Sequence, residues 1–256
     1  MHNELTNLGN DTGYIDLDSF QGLSGGGTRG SNGQPFPYFY GYKTAGIFQN
    51  MDEVKAYVNK DGNMIMPDAQ PGDVRFVDVN GDGKINADDR TNIGNGTPKW
   101  TFGFNLGAEW KGFDFNLFLQ GVTGNKVFDA TYRTDVYSGN FPSWMLSRWT
   151  GEGTSNKYPI LKAGDATNWQ VSDLYICDGS YLRVKNISLG YTLPKNLTQK
   201  LSISRLRFYV MAENLITWTK DWGFDPAISS GGTSLGGGRG IYPQARTYTI
   251  GCNLSF

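Results

Sequence analysis

From Trp100 to Gly121 the chain alternates between apolar and polar positions. Trp100, Phe102, Phe104, Leu106, Ala108 and Trp110 take every second place, with Thr101, Gly103, Asn105, Gly107 and Glu109 between them. A period of two marks a strand with one apolar face. After Lys111-Gly112 the rhythm resumes, with Phe113, Phe115, Leu117, Leu119 and Gly121 on one side and Asp114, Asn116, Phe118 and Gln120 on the other. The spacing predicts a hairpin with a tight turn at 111–112. Each run is about the ten residues that a tilted strand needs to cross a bilayer, and Trp110 stands where an aromatic girdle is expected. The same hairpin also suits a soluble β-sandwich with its apolar face on a core.

The end of the sequence favours the membrane. Tyr248, Ile250, Cys252, Leu254 and Phe256 alternate with Thr249, Gly251, Asn253 and Ser255. A final Phe preceded by apolar residues at every second place resembles the sorting signal of outer-membrane barrels. On a soluble sandwich such an edge would invite aggregation.

Two further strands are predicted, over Tyr181 to Tyr191 and Leu206 to Leu215. In the second, Leu206, Phe208, Val210 and Ala212 alternate with Arg207, Tyr209, Met211 and Glu213, a period no amphipathic helix has. In the first, strict alternation would put Arg183 and Lys185 on the same side as Ile187, Leu189 and Tyr191. A bulge, or an exit above the membrane, is therefore expected there. Pro194 to Lys200 reads as a short turn. The segments 1–97, 123–179 and 217–243 read as long and irregular, so short connections (110–112, 192–202) alternate with long ones (123–179, 217–243). A membrane barrel has that asymmetry, with short turns on the periplasmic side and long loops outside.

Composition narrows the function classes. With 23 basic and 24 acidic residues the chain has no basic field to hold a nucleic acid. Its 35 Gly, 15 Phe, 14 Tyr and 7 Trp favour strands and turns over packed helices. No run of about 18 apolar residues exists, which excludes a transmembrane helix. The mean hydropathy of −0.43 does not imply solubility, because a membrane barrel is apolar only at alternate positions. Met1-His2-Asn3-Glu4 opens no export signal, so an exported protein would here be a fragment. Cys177, in an expected loop, and Cys252, on an apolar strand face, read as free thiols rather than a bridge or a zinc site.

One motif carries metal chemistry. Residues 78–89 match a calcium loop of the EF-hand type. Asp78, Asn80, Asp82 and Asp89 supply oxygens at positions one, three, five and twelve, Lys84 offers its carbonyl at seven, and Asn86 at nine acts directly or through water. Gly83 permits the sharp turn. A hard cation needs this convergence of oxygens. Position twelve is Asp, as in dockerin-type loops, and no clear helices flank the segment. The expectation is a structural calcium ion that braces an exposed loop; the alternative is an Asp/Asn/Gly-rich turn without metal.

Other matches are decoys. Gly22-Leu23-Ser24-Gly25-Gly26 fits a nucleophile elbow, yet the only histidine, His2, precedes the serine where a hydrolase needs one after it. Gly25, Gly27 and Gly30 fit a dinucleotide fingerprint, but Ser31-Asn32-Gly33-Gln34-Pro35 cannot open a helix onto a pyrophosphate. Trp144, Trp149, Tyr158, Trp169, Trp222 and Tyr242 have faces that would stack on sugar rings, and as readily hold loops together.

Several phrases, taken in order, resemble the end of a SusC/RagA-type TonB-linked transporter. They are Phe39-Tyr40-Gly41-Tyr42-Lys43-Thr44 through Gly46-Ile47-Phe48-Gln49, and Pro71-Gly72-Asp73 leading to the calcium-type loop. Arg148-Trp149-Thr150, Tyr158-Pro159, Gly179-Ser180-Tyr181-Leu182-Arg183-Val184-Lys185-Asn186 and Leu189-Gly190-Tyr191 follow. Ala212-Glu213-Asn214-Leu215, Trp218-Thr219, Asp225-Pro226 and Tyr242-Pro243 complete the series. The resemblance implies an all-β chain, the C-terminal segment of a transmembrane antiparallel barrel in the bacterial outer membrane. Residues 1–97 would be an extracellular loop region carrying the calcium-type loop, and 98–256 the barrel strands and loops. The whole protein would import glycans or peptides with a SusD-like surface lipoprotein, coupled to TonB through an upstream region, and would not be an enzyme. The rival of a different class is a secreted, calcium-braced β-sandwich, a carbohydrate-binding or dockerin-like module, although a dockerin should carry two such loops. A surface adhesin is weaker, because nothing repeats.

Overall fold

The computed structural model describes residues 2–20, 26–129, 140–141, 143–165, 167–168, 170–199, 202–220, 223–227, 231–238 and 240–256. Its strands, in chain order, begin with β1 (Tyr14–Asp18), β2 (Gly27–Ser31), β3 (Tyr38–Gly41), β4 (Thr44–Ile47), β5 (Val74–Phe76) and β6 (Thr91–Gly94). Then come β7 (Trp100–Trp110), β8 (Phe113–Thr123), β9 (Lys126–Asp129), β10 (Ile176–Asp178) and β11 (Tyr181–Thr192), followed by β12 (Arg205–Glu213), β13 (Thr217–Thr219), β14 (Gly237–Gly238) and β15 (Thr247–Ser255). Two short helices, α1 (Met51–Ala56) and α2 (Lys195–Thr198), interrupt them.

Five long strands of 9 to 12 residues form one antiparallel sheet in the order β15-β12-β11-β8-β7, with β13 on the upper part of β11. At roughly 3.3 Å per residue, an eleven-residue strand tilted by about 45° rises roughly 25 Å, the height of the apolar band of a membrane barrel. The sheet is open: within the described residues β7 and β15 have no further neighbours and no barrel closes. Among the described residues no helix is long and apolar enough to cross a membrane.

The register places all the predicted rows on one face, since directly opposed residues share a side. Leu106 faces Leu117, Leu117 faces Ile187, Ile187 faces Ala212 and Ala212 faces Tyr248. One step along, Ala108, Phe115, Leu189, Val210 and Ile250 form a second such row. The opposite face carries Gly107, Asn116, Ser188, Met211 and Thr249. The anticipated irregularity in β11 is a bulge between Val184 and Asn186. It returns Arg183 to the polar face, opposite Gln120 and Thr217, while Val184 stays opposite Leu119.

Lys111 and Gly112 form a two-residue turn with φ of 50° and 87°, the positive values that a type I′ hairpin requires. The second short connection lies beside it, since Thr192 N–H donates to the Gly112 carbonyl at 2.7 Å. That connection is not the plain turn expected: it contains α2. The two short connections share one end of the sheet, and the long segments leave from the other.

Those long segments differ from the irregular loops that were expected. Two small antiparallel sheets, β1-β2-β3-β6 and β4-β5, and a third of order β10-β9-β14 organise them. Cys177 accordingly lies buried in β10 rather than in a loop; it and the exposed Cys252 are free thiols. One core joins Tyr42, Ile47, Phe48, Val54, Val74 and Phe76, with Trp149 packed against it. A second joins Phe20, Phe39, Phe128, Met145, Val171 and Tyr175, where the Phe20 and Phe128 rings stack at 3.9 Å.

Candidate functional site

The calcium-type loop begins just after β5 and ends just before β6. Its Asp78, Asp82 and Asp89 carboxylates converge, one oxygen of each lying within 4.8 Å of the others. Backbone amides hold them there. Asp78 accepts from Gly81 N–H at 2.7 Å and Gly83 N–H at 2.8 Å. Asp89, fully buried, accepts from Val79 N–H at 2.9 Å and Asn86 N–H at 2.8 Å. Asp82 accepts from Lys84 N–H at 3.1 Å and from the Asn86 side-chain amide at 2.9 Å. Slight desolvation pushes the Asp82 carboxyl up, but these donors outweigh it and hold the group below its usual range.

The other expected ligands are turned to the backbone. Asn80 Oδ1 accepts from Asp82 N–H at 2.9 Å. Asn86 caps the short 3-10 turn Ala87–Asp89, its Oδ1 accepting from Asp88 N–H at 2.7 Å. Three carboxylates so close together repel one another, and a divalent cation on their common point would relieve that repulsion. The donor set is therefore chemically suited to a hard cation, with Asp78, Asp82 and Asp89 as its centre.

Two ion pairs act on the polar side of the large sheet, and neither is legible in local sequence. Asp114 of β8 and Arg207 of β12 form a bidentate pair, with Nε at 2.8 Å and Nη2 at 2.5 Å, bridging over β11. They cross at Gly190, where a Cβ would lie 2.5 Å from both Arg207 Nη2 and Asp114 Oδ1. A glycine inside a strand was the available signal.

The second pair, Arg183 with Asp225 at 2.5 Å, is almost wholly buried. Arg183 also donates to Thr217 Oγ1 at 2.8 Å and Gln244 Oε1 at 3.1 Å. Asp225 accepts from the Ala227 and Gln244 amides at 2.9 and 3.1 Å. Burial by itself raises the Asp225 carboxyl, yet the donors from Arg183, Ala227 and Gln244 reverse this and hold it below its ordinary range. Both ends of the segment between β13 and β15 are thereby latched onto β11.

Of the aromatics singled out for stacking, Trp149 packs into a core and Tyr158 lies beneath the Lys157 ammonium at 4.9 Å. Tyr242 is free to solvent, at 85% exposure. The Trp144 side chain, Trp169 and Trp222, and the elbow-like residues Gly22 to Gly25, lie outside the described residues.

No family model matches the chain. Among curated proteins it is 33% identical, over 88% of its length, to TonB-dependent receptor P3 of Formosa agariphila. It is 28% identical, over its whole length, to TonB-dependent receptor SusC of Bacteroides thetaiotaomicron. The chain spans about a quarter of these relatives, 22% and 23% of their lengths. A solved structure of the RagAB peptide transporter superposes on 99% of the chain with a TM-score of 0.72 at 27% identity, and the match covers 26% of that structure's chain. The RagAB peptide importer in its open-open state gives a TM-score of 0.67.

Proposed function

The chain is homologous to a segment of the SusC/RagA-type TonB-dependent receptors, and we propose that it forms part of the wall and outer loops of an outer-membrane nutrient importer. The observation that carries this reading is the uninterrupted set of apolar rows across five strands, which no second sheet covers among the described residues. In water, such a face would be a large aggregation hazard; in a bilayer it is the required surface. An open sheet cannot stay in lipid, because unpaired backbone groups at its edges would meet hydrocarbon. Strands from the rest of the receptor therefore pair with β7 and β15.

In this reading the end with the two short connections faces the periplasm and the packed long segments, 1–97 among them, lie outside. The substrate is a peptide or a glycan. The RagAB neighbour, named as a peptide importer, supports the first, and the exposed Tyr242 suits either. A SusD-like surface lipoprotein caps the outer loops, and TonB engages a region not included in these residues. The work is transport rather than catalysis. A structural calcium ion at Asp78, Asp82 and Asp89 braces the connection between β5 and β6, with the Lys84 carbonyl, Asn80 and Asn86 completing its shell. The twelve-position match together with the convergence of the three carboxylates supports it.

Fractionation of cells expressing the full-length protein tests the importer reading. Recovery with outer membranes, release only by detergent, and loss of uptake on deletion are expected. Free solubility in the periplasm or medium would instead favour the secreted β-sandwich module.

A further inference from the structure

A cavity of about 560 Å³ opens where β4, β5, β9 and β10 meet the segment around Asn156 and the chain leaving β13. Its volume suits one or two units of an oligomeric ligand, within the roughly 300–1,000 Å³ common for small-molecule sites. Three ammonium-bearing residues from three distant stretches of sequence line it: Lys126, Lys157 and Lys220. Such convergence is not produced by local chain geometry. Ile93, Leu174 and Ile176, all half-buried, supply an apolar wall.

The two carboxylates in the lining are already engaged by neutral donors. Asp173 accepts from Thr44 N–H at 3.1 Å and Thr44 Oγ1 at 2.6 Å. Asp178 accepts from Ser180 Oγ at 2.7 Å and Ser180 N–H at 3.1 Å. Burial pushes the Asp173 carboxyl up, only partly offset by the Thr44 bonds. The Asp178 carboxyl is held low by Ser180 and, more weakly, by Lys126, its directly opposed neighbour on β9, and by Lys220. Among the described residues, neither the Lys126 nor the Lys220 ammonium forms an ion pair within 4.0 Å. With three lysines against two carboxylates, positive charge exceeds negative charge in a space with one apolar wall.

We propose that this cavity is a subsite for an anionic group, a carboxylate or sulfate, carried by the imported molecule, with Lys126 and Lys220 as its recognition residues. The apolar wall takes the C–H face of the unit bearing the charge. This assignment rests on the importer reading, and it narrows the substrate to acidic oligomers, whether peptide or polysaccharide.

The test uses full-length receptor purified from outer membranes and four probes: triglutamate, triglutamine, trigalacturonate and maltotriose. The receptor should bind at least one acidic probe more tightly than its uncharged counterpart, with affinity falling as salt rises. Preference for triglutamate or for trigalacturonate identifies the source of the anion. Lys126→Gln with Lys220→Gln should weaken the acidic probe about tenfold, the equivalent of one lost charge-assisted hydrogen bond. Lys126→Arg with Lys220→Arg should restore most of it. Equal binding of charged and uncharged probes, or an unchanged affinity in the Gln variant, overturns the subsite. Outer-membrane recovery of the same variants is read in parallel. If the wild-type receptor fractionates as a soluble protein the importer reading itself fails, whereas membrane recovery with no acidic preference defeats only the subsite.

Discussion

Gly190→Ala isolates the interaction between the large sheet and its bridging ion pair. The new methyl would lie 2.5 Å from Asp114 Oδ1 and from Arg207 Nη2, and 2.6 Å from Arg207 Nε. The three nearest atoms all belong to one ion pair, so that pair must yield. Two unit charges 4 Å apart attract by about 4 kcal/mol at an effective dielectric near 20. Desolvation and side-chain ordering reduce the net worth of such charge-assisted hydrogen bonds to about 1.5–3 kcal/mol. The pair is only partly buried, with side-chain exposures of 15% and 27%, which argues for the lower part of that range. A destabilisation of about 2 kcal/mol is expected, roughly 30-fold in the unfolding equilibrium. In a background carrying Asp114→Ala and Arg207→Ala the same methyl meets no ion pair, and Ala replacing Gly within a strand should gain about 0.5 kcal/mol. Urea unfolding of the receptor in lipid vesicles, followed by tryptophan fluorescence, measures both legs. An equal cost in the two backgrounds would refute the claim that Gly190 exists to let the pair cross.

Three further outcomes follow from the same geometry. Calcium should protect the 78–89 loop of the receptor from proteolysis, and Asp78→Ala with Asp82→Ala should abolish that protection; no protection of the unmutated protein would remove the metal assignment. The latch between Arg183 and Asp225 should fail in acid: Asp225 has a carboxyl pKa depressed by folding, so its contribution is present above the unfolded value and is lost as pH falls through the lower, folded one. Hydrogen exchange of the segment between β13 and β15 should stay slow at pH 5 and rise only below the ordinary carboxylate range, and exchange already fast at neutral pH would contradict it. Gly112→Val places a β-branched residue at φ of 87° and its Cβ 2.7 Å from the Thr192 carbonyl; destabilisation by about 2 kcal/mol is expected from the left-handed strain alone, and an unchanged urea midpoint would show that the turn relaxes.

The long strands were legible because four of the five alternate over eight or more residues, and their register then follows from matching apolar faces. Arg183 and Lys185 broke the alternation of β11, and that conflict located the bulge. The short strands of the outer region left no such mark: β5 has three residues and β14 two, too few for a period, and they are fixed by pairing with β4 and β9. Cys177 was misplaced for the same reason, since β10 exists through its pairing with β9. Within the calcium-type loop, fixed spacing identified the carboxylates, whereas the turning of Asn80 and Asn86 toward backbone amides depends on their hydrogen-bond partners. The partners in the ion pairs could not be matched by spacing, because Asp114 and Arg207 lie 93 residues apart and Arg183 and Asp225 lie 42 apart.

The central claim is that one face of the large sheet touches hydrocarbon and the other does not. Single cysteines carrying a spin label at Leu106, Leu117, Val210 and Ile250, and at Asn105, Asn116, Met211 and Thr249, report this in the full-length receptor reconstituted in vesicles with native cysteines removed. The first four should be relaxed by lipid-soluble oxygen and the second four by a water-soluble nickel chelate. Equal access in both rows, or exclusion of oxygen from the first four by protein packing, would contradict the account.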